Sequence, residues 1–233
     1  MIEKRVALVT GTSRGIGRGL ATFFADRGFQ VVGCSRSEVA PYAGYEHTAM
    51  DVTDEAAIKA WMMDIKKRFG RLDVVVNNAA ISLAALAPMT PSANAEALWR
   101  TNFQATFMIC REAVKFMMKQ KNGRIVNISS VAVPLRMEGA SVYAATKAAV
   151  VHFSQVLAKE VASFQITCNV VAPSLVETDM MTALSPEARY KYVSALTIKR
   201  PVTMGELCHA VEFFTLPESA CITGQVLTLG LSG

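Results

Sequence analysis

A doubly wound parallel α/β sheet with helices on both faces is the fold that this 233-residue chain predicts. Three observations lead to it. Short apolar runs alternate with segments of helical periodicity along the whole chain. The first run passes at once into a glycine-rich turn and then a helical pattern. No linker, repeat, low-complexity run or shift in composition divides the chain, so residues 1–233 are expected to form a single domain.

Taken in order, strands are expected at 5–10, 30–34, 47–50, 72–76, 124–128, 166–171 and 226–229. Helices are expected at 16–27, 54–69, 93–120, 142–163, 186–195 and 204–215. Continuous apolar strands suit a sheet buried on both faces. Right-handed crossovers then wind it in both directions, and ligands bind outside the carboxyl ends of its strands.

Composition excludes several classes. Hydrophobic residues make up 52% of the chain, enough for a full core, yet no apolar run approaches the 18 residues of a membrane span. The first strand begins almost at the N-terminus, which leaves no room for a signal peptide. The five cysteines (34, 110, 168, 208, 221) are dispersed and lack C-x-x-C spacing. They read as small core residues of a reducing, cytoplasmic protein, not as disulfides or a metal site. The net charge of +5 is mild and its basic residues are scattered, which argues against a nucleic-acid partner.

Two motifs carry chemistry. After the first strand comes Gly11, Thr12, Ser13, Arg14, Gly15, Ile16, Gly17, followed by a helical pattern. Gly11 allows a tight turn, while Gly15 and Gly17 allow close approach of backbone to a pyrophosphate and of helix to strand. The helix N-terminus then presents free N–H groups to the phosphates. Alone, such a loop is equally an ordinary strand–helix turn. Further on, Tyr143 and Lys147 stand four residues apart in an alanine-rich helical stretch, which puts both on one helix face. An ammonium beside a phenol lowers its pKa and makes a general acid/base for a carbonyl or alcohol oxygen. Tyr-x-x-x-Lys also occurs by chance on exposed helices.

With both in hand, the chain resembles the classical short-chain dehydrogenase/reductase family, a Rossmann-type fold, from about Val6 to about Leu229. The motifs stand in that family's order: Thr10 with the glycine loop, Asp51-Val52, Asn77 to Ala80, Asn102, Ser130, Tyr143 with Lys147, and Pro173 to Thr178. Within it the chain looks most like the bacterial 3-oxoacyl-acyl-carrier-protein reductases, through Gly123 to Ser130, Lys159 to Ser163, Val176 to Met180 and Ile222 to Gln225.

The resemblance implies a division of labour. Tyr143 is the acid in reduction, and Lys147 lowers its pKa and holds the nicotinamide ribose. Ser130 donates to the substrate oxygen, with Ser129 as the competing candidate. Asn102 is a kink residue holding a water in a relay to Lys147; a mid-helix Asn is otherwise a mild defect facing solvent. Gly11 to Gly17, Asp51, Val52, Asn78, Ala79, Pro173, Val176 and Thr178 border the cofactor. Asp51 contacts the adenine or is a helix cap, a task that Thr53 or Asp54 could also perform. Thr178 holds the carboxamide or caps a helix.

Position 34–37 offers no acidic residue for a ribose 2′-OH. Arg36, with Arg14, can instead pair with a 2′-phosphate, so the expected cofactor is NADP; otherwise both are surface charge. Residues 37–46 are too few for a full helix, which leaves the adenosine side open. Three departures stand out: Ala80 where the family usually has Gly, Ser174 where Pro-Gly is usual, and the ending Gly230 to Gly233.

The segment at about 179–200 is placed as a substrate lid, with Met180, Met181, Leu184, Tyr190, Tyr192 and Leu196 as its apolar face or simply as core. The expected activity is reduction of a 3-oxoacyl thioester. The alternative is the same chemistry on a free steroid, aromatic or polyol ketone. A dinucleotide-binding scaffold without activity would be expected to have lost the Tyr or the Lys. An acyl carrier protein would dock on a basic patch to which Lys121 and Arg124 contribute, although Phe164 stands where such reductases often carry Arg. Apolar residues on more than one face of the helices at 93–120 and 142–163 predict a homotetramer, with a dimer as fallback.

Overall fold

In a computed structural model that describes residues 4–177 and 185–232, the chain enters at β1 (Val6–Thr10). It crosses by α1 (Gly15–Asp26) to β2 (Gln30–Ser35) and continues to β3 (Tyr45–Ala49). Helix α2 (Glu55–Phe69) returns it to β4 (Val74–Asn77) on the other side of β1. Then α3 (Ser92–Trp99), a π turn (Arg100–Gln104) and α4 (Ala105–Gln120) lead to β5 (Gly123–Ile128). A short α5 (Ala132–Leu135) and the long α6 (Ser141–Val161) precede β6 (Ile166–Pro173). Last come α7 (Pro186–Ala195), α8 (Met204–Phe213) and β7 (Val226–Leu229).

The seven strands form one parallel sheet in the order β3-β2-β1-β4-β5-β6-β7. Strand order reverses between β1 and β4, and that switch opens the crevice above the carboxyl ends. Alternation along β1 explains the layers. Leu8 faces a cluster with Ile58, Trp61 and Ile65 of α2 and Met108 and Ile109 of α4. Ala7 and Val9 face the opposite cluster with Leu20 and Phe24 of α1 and Leu207 and Val211 of α8. Burial on both faces is why the strands read as unbroken apolar runs.

Local signals fix the helix ends. Asp54 caps α2 by accepting from the amides of Ala56 and Ala57 (2.9 and 3.0 Å), and Gly70 closes it at φ 66°. Asp51 is therefore not the cap; its Oδ1 accepts from the Thr53 amide (2.8 Å). Thr203 and Glu206 form a reciprocal capping box at α8.

All seven expected strands are present, with β3 two residues earlier than its sequence pattern suggests because Gly44 (φ 81°) turns the chain directly into Tyr45. Residues 36–44 form no helix, as their number predicted. The helix expected at 93–120 is interrupted by the π turn, and α5 was not expected: four residues around Pro134 leave no periodicity to read. Among the described residues no helix is long and apolar enough to cross a membrane. Cys34, Cys110, Cys168 and Cys208 are buried, and Cys221 is exposed.

Candidate active site

The glycine loop joins β1 to α1 under tight steric control. Gly11 (φ 75°) and Gly15 (φ 56°) take left-handed conformations that other residues resist. Gly17 is more constrained still: a Cβ there would lie 2.1 Å from the Gly11 carbonyl oxygen. Arg14, at the N-cap of α1, makes no side-chain cap bond. The amides of the first turn are thus left for an anion, which is the cradle a dinucleotide diphosphate needs. Arg14 is exposed, Ser13 and Ile16 are half-buried, and Thr12 is buried with its hydroxyl turned inward.

Carboxyl ends of neighbouring strands lock this loop in place. Thr10 Oγ1 accepts from the amides of Asn78 (3.0 Å) and Ala79 (2.9 Å). The Asn78 side chain donates to the Thr10 carbonyl (2.8 Å). Asn77 points down into the core, donating to Asn127 Oδ1 (2.8 Å). Val52 is also buried in the core, so only its main chain is left for a ligand. Asp51 and Arg36 are exposed at the rim, after β3 and β2.

Tyr143 lies near the start of α6, half-buried, with Ser130 as its hydrogen-bond partner. Burial pushes its phenol up from the ordinary value; the Ser130 bond opposes this, and the nearby Tyr192 phenol adds to it. Ser130 Oγ also accepts from the Ala132 amide (3.1 Å), which fixes the hydroxyl at the end of β5. Ser129 is turned away and donates to the Lys147 carbonyl (3.1 Å). Of the two candidates, Ser130 is the one that meets the tyrosine.

Lys147 departs from expectation. Its ammonium is buried and donates to the Ile128 carbonyl (2.9 Å), and burial lowers it to about 8. In this arrangement the phenol is raised by burial, not lowered by the lysine. Four-residue spacing puts the two side chains on one face, but the acceptor the ammonium takes is on β5.

Asn102 sits in the π turn with no exposure to solvent, contrary to the solvent-facing alternative. Its Oδ1 accepts from the Ile81 amide (2.8 Å), and its Nδ2 donates to the Ile81 carbonyl (3.0 Å) and to Thr146 Oγ1 (3.1 Å). Thr146 in turn donates to the Tyr143 carbonyl (2.7 Å). Asn102 therefore ties the loop after β4 to the turn of α6 that bears Tyr143 and Lys147. A π turn at such a junction widens the helix to admit the bonds. Sequence reasoning missed Ile81 and Thr146, because a backbone partner 21 residues away leaves no motif.

On the far side, Pro173 ends β6 and its carbonyl accepts from Val131 (3.1 Å). Val176 bridges to Val202 and is buried. Thr178, Met180, Met181 and Leu184 lie outside the described residues. Ser174 occupies space made by Gly230, where a Cβ would lie 2.7 Å from Ser174 Oγ. The unusual serine and the unusual C-terminal glycine thus fit each other. Ala80 is exposed and crowds nothing buried. In the segment expected to form a lid, Leu196 is buried, Tyr192 half-buried and Tyr190 exposed at 77%.

Of the two residues expected to contribute to a basic patch, Lys121 is exposed and Arg124 is buried. Arg124 is 8% exposed, at the amino-terminal end of β5, where it donates to the carbonyls of Gly123 and Gln165. It lines a cleft of about 230 Å³ with Arg5 and Asp73, at the sheet edge opposite Tyr143. Phe164 packs against the core.

These features agree with known proteins. A family model described as short chain dehydrogenase matches residues 5–189. The 3-oxoacyl-(acyl-carrier-protein) reductase FabG of Escherichia coli (strain K12) is 38% identical over 232 residues, covering 97% of this chain and 95% of that enzyme. The enzyme of the same name from Thermotoga maritima is 33% identical over 248 residues, covering 100% and 98%. Among solved structures, ElxO with NADP bound superposes with a TM-score of 0.91 at 30% identity, covering 97% of each chain. A variant of actinorhodin polyketide ketoreductase with NADPH gives 0.88 at 28%, covering 97% and 95%.

Proposed function

The chain belongs to the short-chain dehydrogenase family, and from that premise we propose that it is an NADPH-dependent ketoreductase that converts a 3-oxoacyl thioester to the 3-hydroxyacyl form. Membership makes it an oxidoreductase of the CH–OH/C=O couple. The observation that carries the finer reading is the Ser130–Tyr143 hydrogen bond at the carboxyl end of β5, beside a glycine loop flanked by Arg14 and Arg36. When bound, the nicotinamide supplies the hydride. Tyr143, a phenol protonated at neutral pH, gives its proton to the carbonyl oxygen as charge builds there. Ser130 transfers its hydroxyl hydrogen bond from the phenol to that same oxygen when substrate enters. Asn102 keeps α6 in register with the loop after β4, so the phenol stays aimed at the crevice.

Support for the cofactor comes from the absence of an acid at 34–37 and from two neighbours whose structures hold NADP or NADPH. Support for the thioester comes from the FabG relatives. Carriage on an acyl carrier protein follows the same relatives. A second reading, reduction of a free ketone, is favoured by the burial of Arg124 far from the rim. We place the protein in the cytoplasm, as a single catalytic domain with a lid at about 179–200, and as a homotetramer or dimer. The test is a panel of 3-oxoacyl groups on carrier protein, on coenzyme A and as free ketones, followed at the NADPH absorbance. Turnover of free ketones alone would replace the first reading by the second.

A further inference from the structure

A side-chain network that no motif announces lies beneath the adenosine end of the proposed cofactor site. His47 is on β3, opposite Gly33 of β2. Its Nε2 lies 2.8 Å from the Ser37 carbonyl and 3.2 Å from Ser35 Oγ. A carbonyl only accepts, so Nε2 carries a proton. The Ser35 hydroxyl spends its own proton on the same carbonyl (2.7 Å), so it accepts from the imidazole. His47 therefore grips the residues on both sides of Arg36.

The other face of the ring reaches the glycine loop. Nδ1, left without a proton, lies 2.6 Å from Tyr45 Oη, and the single phenol proton is shared between Nδ1 and Thr12 Oγ1 at 2.8 Å. Thr12 donates on to the Cys34 carbonyl (3.3 Å), which also receives the Gly11 and Thr12 amides (2.8 and 3.1 Å). Gly33 makes the reach possible: a Cβ there would lie 2.6 Å from Thr12 Oγ1 and 2.7 Å from the Tyr45 ring. The ring of Tyr42 stacks on Tyr45 at 4.5 Å and covers the network from outside. The chain of bonds thus runs from the loop that carries Arg14 to the loop that carries Arg36, and the imidazole is its link between the two.

We infer that His47 is a cofactor-specificity residue: it positions Arg36 relative to Arg14 so that both meet one 2′-phosphate. This rests on the NADPH reading above. An ordinary structural histidine on an edge strand would support both cofactors equally. A residue that brackets Arg36 matters more to the cofactor that Arg36 reads than to the one it does not. The geometry also says which nitrogen carries the effect, since only Nε2 touches the Ser35–Ser37 segment.

Steady-state kinetics with NADPH and NADH test this on wild type, His47→Leu, His47→Gln and His47→Asn, with Arg36→Gln as reference. Gln places its amide near the position of Nε2, whereas Asn replaces only Nδ1. The expected result is a ~10-fold fall in the NADPH/NADH ratio of kcat/KM for Leu and Asn, carried by the KM for NADPH, with Gln close to wild type. In an Arg36→Gln background His47→Leu should change the ratio less than ~2-fold, because its effect passes through the arginine. An equal loss with both cofactors, or an unchanged ratio in a folded variant, would overturn the inference while leaving the NADPH reading intact. Wild type showing no preference for NADPH would remove that reading first. Should His47→Leu fail to fold, the contrast between Asn and Gln decides the matter.

Discussion

Lys147 on α6 donates its ammonium to the carbonyl oxygen of Ile128, the last residue of β5, at 2.9 Å. One neutral acceptor does not replace a hydration shell, so burial lowers the lysine from 10.5 to about 8. A folded-state pKa below the unfolded one means that the fold disfavours the charged form. The cost is full below pH 8 and disappears as pH rises from about 8 to 10.5. At about 1.4 kcal/mol per pH unit this amounts to ~3 kcal/mol. Unfolding free energies of wild type and Lys147→Met, measured from pH 7 to 10.5, should therefore converge or cross, with wild type gaining on the variant. A constant difference across that range would show that Lys147 titrates normally.

Tyr143 and Ser130 act on the same oxygen in the proposed mechanism, but they should fail differently. Tyr143→Phe removes the proton donor and is expected to cut kcat by ~10²–10⁴-fold. NADPH affinity, read by fluorescence titration, should stay within about 3-fold, a gap of ~0.6 kcal/mol. Ser130→Ala leaves the donor in place, removes the bond that opposes its upward shift, and should lower kcat by ~10²-fold. More than about a tenth of wild-type turnover in Tyr143→Phe would remove that residue from the acid role.

The parts of this molecule that were legible in advance are those written in local pattern. Val74-Val75-Val76, a short β-branched run, reads as a strand buried on both faces, and it is. Gly11 and Gly17 announce a loop with no room for a Cβ, where the Ala79 main chain, the Gly11 carbonyl and the Asn78 amide crowd in. What stayed hidden depends on register between distant segments. Asn102 looks like a helix defect until Ile81 is brought beside it. The Tyr143–Lys147 spacing fixes a common face but not what β5 offers the ammonium. Ser174 looks like a flaw until Gly230 is seen opposite it. His47 has no meaning before β2 and β3 are paired.

Gly17 and Gly19 lie two residues apart on α1 and should respond in opposite ways to alanine. The added carbon at Gly17 would meet backbone, the Gly11 carbonyl oxygen at 2.1 Å. At Gly19 it would meet the Met204 sulfur at 2.4 Å, the far end of a side chain that can move aside. Gly17→Ala should spread the loop and weaken NADPH binding by ~100-fold or more, in line with overpacking costs of ~1–3 kcal/mol. Gly19→Ala should stay within ~3-fold, about 0.6 kcal/mol. Equal, mild effects at both positions would mean that the loop is not the phosphate cradle.

Arg36 is exposed after β2, where a carboxylate would accept from a ribose 2′-OH and repel a 2′-phosphate. Arg36→Asp should turn a preference for NADPH into one for NADH, changing the ratio of kcat/KM by ~10²-fold, a swing of ~2.7 kcal/mol. Steady-state assays at equal cofactor concentrations give the answer. A wild-type enzyme that favours NADH defeats this reading before any variant is made.

The outer faces of α3, α4 and α6 carry more apolar surface than one sheet can cover. Phe103 is wedged between Trp99 (4.7 Å between ring centroids) and Phe153 (6.0 Å), and Phe107 also meets Phe153 (5.9 Å). Within that cluster Trp99 and Phe107 remain 46% and 38% exposed, and Val156 on α6 is 43% exposed. A contiguous aromatic patch on two neighbouring helices favours a second copy of the same patch across a two-fold axis. The expected outcome is a dimer or tetramer in light scattering at micromolar concentration. Phe107→Glu places a charge where the two copies would meet, at a position with little contact to the sheet. It should shift the mass toward 25.2 kDa while leaving the far-ultraviolet circular dichroism unchanged. A monomeric wild type would mean that the patch is covered by some other surface, and both the tetramer and the dimer would fall together.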